Sequence, residues 1–343
     1  MDDKESMLVI DFSIIIPLAR IEGYIFETCR KISEMECDNF EIIVFPDICP
    51  DDDIKRLEKE LGARIVPTGC VCPGNKRDMA ITYARGKYLA FIDDDAYPDK
   101  NWLKAAKKYL EYDNVSAVGG TQLTPAEDSF WQRVSGAMFS SILSGGAIIR
   151  YSRGYKIRQL FDWPTVNFII KKADFIQIGG FDTHYWPGED TKLCLDITKK
   201  LGKKILYIPD MLVYHHRRAG LGSHLNQAGG YGRQRGHFFR VFPETSRKLS
   251  HLYFMPALFV IFLTGGLIGS FFSFFVLQLF LLGLTVYFSA VIISTIILIF
   301  KTKEILVSFA LIPYLILFHI WYGLRFIQGF LFTKELKSKS KQL

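Results

Sequence analysis

The stretch Leu89–Trp102, LAFIDDDAYPDKNW, runs from four mostly apolar residues straight into three consecutive aspartates, Asp93 to Asp95. An apolar run without polar alternation is the pattern of a strand covered on both faces, as in a parallel sheet. Ending such a strand on three like charges is costly unless a cation is shared among them. Oxygen-rich sites of this kind suit Mg²⁺ or Mn²⁺, which keep some waters and take further ligands from substrate phosphates. On its own the triplet also fits a solvated acidic turn, so its neighbours decide.

Upstream, FSIIIPLAR (12–20) is a second continuous apolar run, ended by Pro17. Residues 22–35 suit a helix, FEIIVFPD (40–47) a strand, DDDIKRLEKELG (51–62) a helix closed by Gly62, ARIVPT (63–68) a strand, and NKRDMAITYARG (75–86) a helix. This β-α-β-α rhythm predicts a doubly wound α/β layer, in which ligands sit beyond the carboxyl ends of the strands. Downstream, NWLKAAKKYLEY (101–112) predicts a helix with a basic outer face and VSAVGGTQL (115–123) a strand. Residues 125–160 are an irregular Gly, Ser and aromatic stretch, and TVNFIIKKADFIQIGGFD (165–182) offers a strand, a short helix and a turn. GEDTKLCLDITKKLG (188–202) is an amphipathic helix entered by two acids, and KKILYIPDMLVYHH (203–216) is a pair of strand-like runs ending in histidines.

Glu189 and Asp190 sit at a helix start, where the dipole favours ionised carboxylates. They fit helix capping, or a base that removes a proton from an incoming hydroxyl with a partner acid beside it. His215 ends a strand and could offer an imidazole to the same cation as the aspartates, or either histidine could simply be exposed near a basic surface.

The chain has 343 residues, 49% of them hydrophobic, and the apolar ones are unevenly spread. From Phe254 to Phe300 there is no charged side chain. A bilayer-crossing helix takes about 20 residues, so this run holds two, with Gly269 and Ser270 as the expected turn of a helical hairpin. A third apolar segment, about 305–332, is broken by Pro313 and carries His319 and Arg325. Arg217, Arg218, Arg233, Arg235, Arg240, Arg247 and Lys248 precede the hairpin, Lys301 and Lys303 follow it, and the tail 334–343 is basic. With positive flanks retained in the cytoplasm, all three regions share one side and the third segment need not cross. The net charge of +7 then fits attraction to a membrane surface rather than nucleic acid, since no recognition motif accompanies it. Residues 226–252 mix Arg, His and aromatics and are expected to form an interfacial segment or a plain amphipathic linker. The acidic start MDDKESMLVIDF lacks a signal-peptide pattern, so residues 1–250 are expected to remain cytosolic. Six cysteines without a CxxC pair suggest neither a zinc knuckle nor a disulfide framework.

In this order, SIIIPLAR (13–20), GNKRDMAITYARGKYLAFIDDDAYPDKNWL (74–103), IGGFDTHYWPGEDTKL (178–193) and VYHHRRAG (213–220) resemble the family-2 glycosyltransferases, inverting enzymes of the GT-A fold. The resemblance covers about residues 11–240. It implies a GT-A, nucleotide-diphospho-sugar transferase (Rossmann-like) α/β catalytic domain over 1–225, followed by an α-helical membrane hairpin within 253–333. Pro17 would close the first nucleotide-binding strand, Asp93 would face the nucleotide ribose or the metal shell, and Asp95 would coordinate Mg²⁺ or Mn²⁺ with His215. Asp94 is open to either register. Asp190 would be the catalytic base and Glu189 its neighbour in acceptor binding, while Lys76 and Arg77 lie where diphosphate contact is expected or are surface helix charges. Where the family often has DDGS after the second strand, this chain has VFPDICPDDD, leaving Asp47 as the substitute for contact with the base. No QxxRW motif of processive relatives is present, although GYGRQRG (230–236) sits downstream, so a single transfer per encounter is expected. The implied partners are a UDP-sugar donor, a lipid-linked or glycan acceptor for envelope polysaccharide or glycolipid synthesis, and the membrane. A non-catalytic membrane-attached nucleotide-sugar-binding protein and a metal-dependent phosphatase or nucleotidyltransferase are the competing classes.

Overall fold

The computed structural model describes residues 10–37, 39–245 and 250–336. Residues 1–9, Arg247, Lys248 and the tail from 337 lie outside the described residues. The chain divides into two compact units, one of residues 1–122, 153–215 and 337–343, the other of residues 123–152 and 216–336.

Among the described residues the first unit is built on nine strands: β1 (Phe12–Pro17), β2 (Phe40–Phe45), β3 (Arg64–Ile65), β4 (Tyr88–Phe91), β5 (Ala96–Pro98), β6 (Val115–Leu123), β7 (Arg158–Leu160), β8 (Phe168–Lys171) and β9 (Lys204–His215). Their order is β3-β2-β1-β4-β8-β6-β9-β5, with β7 also on β9. The strands from β3 to β4 are parallel, and β8 is antiparallel to both β4 and β6. Chain order runs outward from β1 to β3 on one side and resumes with β4 on the other. The crevice beyond the ends of β1 and β4 is therefore a topological switch point. Ile14, Ile15 and Ile16 are fully buried, as expected of a strand covered on both faces.

Helices α1 (Ile25–Ser33), α2 (Asp51–Leu61), α3 (Pro73–Asp78), α4 (Ala80–Tyr83) and α5 (Trp102–Leu110) come before β6; α6 (Phe130–Ser140) and α7 (Ile148–Tyr151) belong to the second unit; α8 (Lys172–Ile178) and α9 (Glu189–Lys199) return to the first. In α1 the buried Ile25, Cys29 and Ile32 fall one turn apart, which lays one stripe on the sheet. Burial pushes the Cys29 thiol up to about 12, so it behaves as a small apolar side chain. Buried Asn167 stitches the core: it accepts from Trp102 Nε1 at 2.8 Å and donates to the carbonyls of Thr121 at 2.9 Å and Met211 at 2.8 Å.

Three local expectations differ from the structure. The helix expected over 75–86 is two short helices, α3 and α4, with Met79 between them. The two strand-like runs of 203–216 are one twelve-residue strand. Pro209 does not break it, because it falls between the part of β9 that pairs with β7 and the part that pairs with β5. Within the irregular stretch 125–160, Phe130–Ser140 is helical and begins with a capping box formed by Ser129 and Gln132.

In the second unit, α10 (Leu221–Val241), α11 (Ser250–Ser270), α12 (Phe274–Thr302) and α13 (Ile305–Phe332) follow one another. The last three are each long and apolar enough to cross a membrane. The hairpin turn is Phe271–Ser273 rather than Gly269–Ser270, because the Ser273 side chain caps α12. Helix α10 covers much of the 226–252 stretch and lies against α13 at backbone distance. A Cβ on Gly236 would stand 2.1 Å from the Phe326 carbonyl oxygen, and one on Gly329 2.0 Å from that of Arg233. Several α10 side chains face inward, with Arg235 4.7 Å over the Tyr253 ring and His237 Nδ1 3.0 Å from the Thr333 carbonyl. Arg240 donates to the carbonyls of Phe330 and Thr333, closing the end of α13 where intrahelical donors run out. His319 is satisfied on both nitrogens, by Tyr287 Oη at 2.9 Å and the Leu143 carbonyl at 3.0 Å.

Candidate active site

The acidic triplet leaves β4 at the switch point. Ala96 pairs directly with His215 across β5 and β9, so the residue before Ala96 stands beside that imidazole. His215 Nε2 accordingly lies 3.2 Å from Asp95 Oδ1. One ligand atom each of Asp93, Asp95 and His215 lie within 4.8 Å of one another. His216 points the other way, as alternation along a strand requires, and its Nδ1 lies 2.5 Å from Asp128 Oδ1 within the second unit. Asp94 is held by its backbone, whose carbonyl accepts from Thr28 Oγ1 at 3.0 Å. Burial, reinforced by Asp95 and Asp93, pushes its carboxyl up to about 7.

Lys76 and Arg77 are 3% and 5% exposed, which removes the reading of either as a surface helix charge. Lys76 Nζ donates to the Leu18 carbonyl at 2.5 Å, just past Pro17 at the end of β1, and to the Asp47 carboxylate. Arg77 Nη2 donates to Asp93 Oδ1 at 2.7 Å, and Nη1 lies 3.7 Å from Glu189 Oε1. The guanidinium therefore ties the strand-end acids to the start of α9.

That start is preset by its backbone. Gly188 has φ 129°, a conformation that side-chain-bearing residues rarely adopt. Its N–H donates to Glu189 Oε2 at 3.0 Å, and the Thr191 N–H donates to Asp190 Oδ1 at 2.7 Å. Thr191 Oγ1 donates to Asp162 Oδ1 at 2.8 Å, which pins the first turn. Burial first, and the neighbouring Asp190 charge second, raise the Glu189 carboxyl above the usual range, with Arg77 opposing them.

Asp78, Asp162 and Asn167 support this crevice and carry no sequence signal of their own. Asp78 Oδ1 accepts the Phe181 N–H at 2.8 Å, and burial pushes its carboxyl up to about 7. Its folded value exceeds its unfolded one, so the native state binds the extra proton and stability falls as pH rises from about 4 through 7. Asp78→Asn keeps an acceptor oxygen and removes this titration. Thermal unfolding across pH 4–8 should show a flatter Tm profile for the variant; an unchanged slope would take Asp78 out of the account.

Residues 13–180 match the family described as Glycosyl transferase family 2. The chain carries a family 2 glycosyltransferase domain. A relative from Methanococcus voltae, named dolichyl N-acetyl-alpha-D-glucosaminyl phosphate 3-beta-D-2,3-diacetamido-2,3-dideoxy-beta-D-glucuronosyltransferase, is 25% identical over 336 residues, covering 92% of this glycosyltransferase and 96% of the relative. TarS of Staphylococcus aureus (strain Mu50 / ATCC 700699), a poly(ribitol-phosphate) beta-N-acetylglucosaminyltransferase, is 29% identical over 107 residues, covering 29% of this chain and 19% of TarS. Among solved structures, GalNAc-T7 with UDP, GalNAc and Mn2+ aligns at a TM-score of 0.48 and 14% identity, over 72% of this chain and 52% of that one. The parallel sheet around a switch point, with the antiparallel strands beyond it, is the GT-A catalytic fold of this glycosyltransferase family.

Proposed function

We propose that this glycosyltransferase is a membrane-anchored inverting enzyme that transfers a hexosyl or related sugar from a nucleotide-diphosphate donor, a UDP-sugar, to a hydroxyl of a lipid-linked sugar or glycan precursor. One observation carries the reading: Arg77 joins Asp93 of the Asp93, Asp95 and His215 cluster to Glu189, beside Asp190, in a single crevice. The name of the M. voltae relative, which matches along nearly the whole chain, supports a lipid-linked acceptor.

The donor set of two carboxylates and an imidazole suits a divalent cation. The 3.2 Å between His215 and Asp95 agrees with adjacent ligands about 2.1 Å from one ion. When bound, Mg²⁺ or Mn²⁺ supplies positive charge to the diphosphate oxygens. Pro17 and the buried Lys76–Asp47 pair shape the wall beyond β1, where the nucleoside would lie, and Asp94 holds the strand end through its backbone. On the acceptor side, Asp190 takes the hydroxyl proton, and Glu189, which retains a proton more readily, orients the hydroxyl. Attack opposite the leaving diphosphate inverts the anomeric carbon, and holding the reactants in line contributes alongside the proton transfer. The basic residues Arg233, Arg235 and Arg240 shortly before the hairpin and Lys301 and Lys303 at its end favour a cytoplasmic catalytic unit on a multi-pass membrane protein.

Incubation of purified protein with nucleotide sugars and Mn²⁺ should release nucleoside diphosphate in step with transfer. Release of inorganic phosphate or pyrophosphate instead would favour a phosphatase or nucleotidyltransferase, and no release with any donor would favour a binding protein. Asp95→Ala should weaken nucleotide binding at least tenfold in the presence of metal and change it little in EDTA. A dissociation constant equal to that of the parent protein with metal would remove Asp95 from the ligand set.

A further inference from the structure

Helix α13 satisfies the length and hydropathy of a membrane span, but its contacts argue otherwise. We propose that α13 does not cross the bilayer and lies along the phospholipid headgroup region on the side from which α11 enters, docked on α10, so that α11 and α12 project from a surface platform. The inference rests on the membrane anchoring proposed above.

Both ends of α13 are fixed on one side. Its start is separated from the end of α12 only by Lys303 and Glu304, and the Glu304 carboxylate lies 3.2 Å from Arg133 of α6. Its end is held by His237 and Arg240, on the last turn of α10, only a short link before α11 begins. Helices α11 and α12 run antiparallel, with Phe259 against Tyr287 and Phe262 against Phe280. The start of α11 and the end of α12 therefore lie on the same side, and α13 is held at both.

Burial along the hairpin agrees. Among the described residues its buried side chains are Ala257 and Val260 on α11 and Val291, Ser294, Thr295 and Leu298 on α12. From Ile261 through Ala290 no residue is buried, so α13 buries side chains only at the base, with His319 reaching up to Tyr287. A third crossing helix alongside would cover side chains along the far half as well. Helix α13 meets α11 near its start, with Gly323 against the Pro256 carbonyl and the Phe326 ring 4.9 Å from that of Phe254.

The companion helix sets the energetic side of the choice. Gly229 meets Trp321, Gly232 meets the Tyr322 carbonyl and Gly236 meets that of Phe326, so α10 and α13 advance together in the same direction. Carrying α13 across the hydrocarbon would carry α10 with it, including Arg233, Arg235 and Arg240, at about 2.5–3.5 kcal/mol for each arginine at mid-depth. The outward stripe of α13 is apolar from Ile305 to Leu317, and over its second half Trp321, Leu324, Gln328 and Leu331, flanked by Arg325 at 5.8 Å from the Trp321 ring, mix apolar, aromatic and cationic groups as the headgroup boundary favours.

The full chain, tagged at both termini, would be treated with external protease in sealed vesicles, and a separate portion of the same membranes would be extracted with alkaline carbonate. Retention in the pellet and loss of both tags together to external protease, or protection of both together, is the expected result. Loss of the N-terminal tag with full protection of the C-terminal one would overturn the placement of α13 and leave the anchoring intact. Release by carbonate would overturn the anchoring itself, and this inference with it.

Discussion

Asp190→Asn is expected to lower kcat about 10³-fold, within the range that removal of a general base produces, and to leave metal-dependent nucleotide binding within about twofold. The amide preserves the side-chain shape and the oxygen that accepts the Thr191 N–H, so the first turn of α9 should survive. Only the capacity to take the hydroxyl proton is lost. Single-turnover transfer and nucleotide titration on the same preparation separate the two effects. A collapse of donor affinity with transfer partly retained would move Asp190 from the acceptor side to the donor side.

The second large effect is expected at Arg77. Its guanidinium is 6% exposed and faces Asp93 and Glu189, whose side chains are 32% and 10% exposed. Arg77→Met leaves two carboxylates facing each other without their cation. Breaking a buried pair costs about 3–5 kcal/mol, and the lower end applies because Asp93 remains partly solvated. At about 2–4 °C per kcal/mol, Tm should fall by roughly 6–12 °C, with transfer lost in the surviving fold. Adding Glu189→Gln removes one of the stranded charges and should recover part of the Tm without recovering transfer. If the double variant is no more stable than Arg77→Met, the arginine acts through packing on Phe181 rather than through its charge.

The strands of the doubly wound half were legible because each is an unbroken apolar run, and such runs in alternation with helical patterns have few alternatives. The acids at 93–95 and 189–190 were legible as chemistry for a related reason: they end or begin regular elements, where charge needs a partner. The identity of that partner was not. Nothing in NKRDMA distinguishes two buried basic side chains from a solvated helix face, because the burial of Lys76 and Arg77 is conferred by β1, Asp93 and Glu189, residues remote in sequence. Asp162 and Asn167 escaped for the same reason, since their partners lie on other elements. Helix α6 was missed although Ser129 and Gln132 stand at capping-box spacing, because its run of Ser, Gly and aromatic residues obscures the apolar stripe. For α13, hydropathy described the helix well and its surroundings poorly. A glycine-lined neighbour, α10, covers much of its surface.

The pairing of Ala96 with His215 bears on more than ligand geometry. Strand β5 is three residues long and lies at the end of the strand order, held by β9, with all three of its residues buried. An ion gripped by Asp95, the residue before β5, and by His215 on β9 would rivet that rim, because binding to the closed form alone draws the opening equilibrium shut. Loading the site and fastening the sheet's margin then become one event, and donor and metal would find the crevice sturdier after they arrive than before.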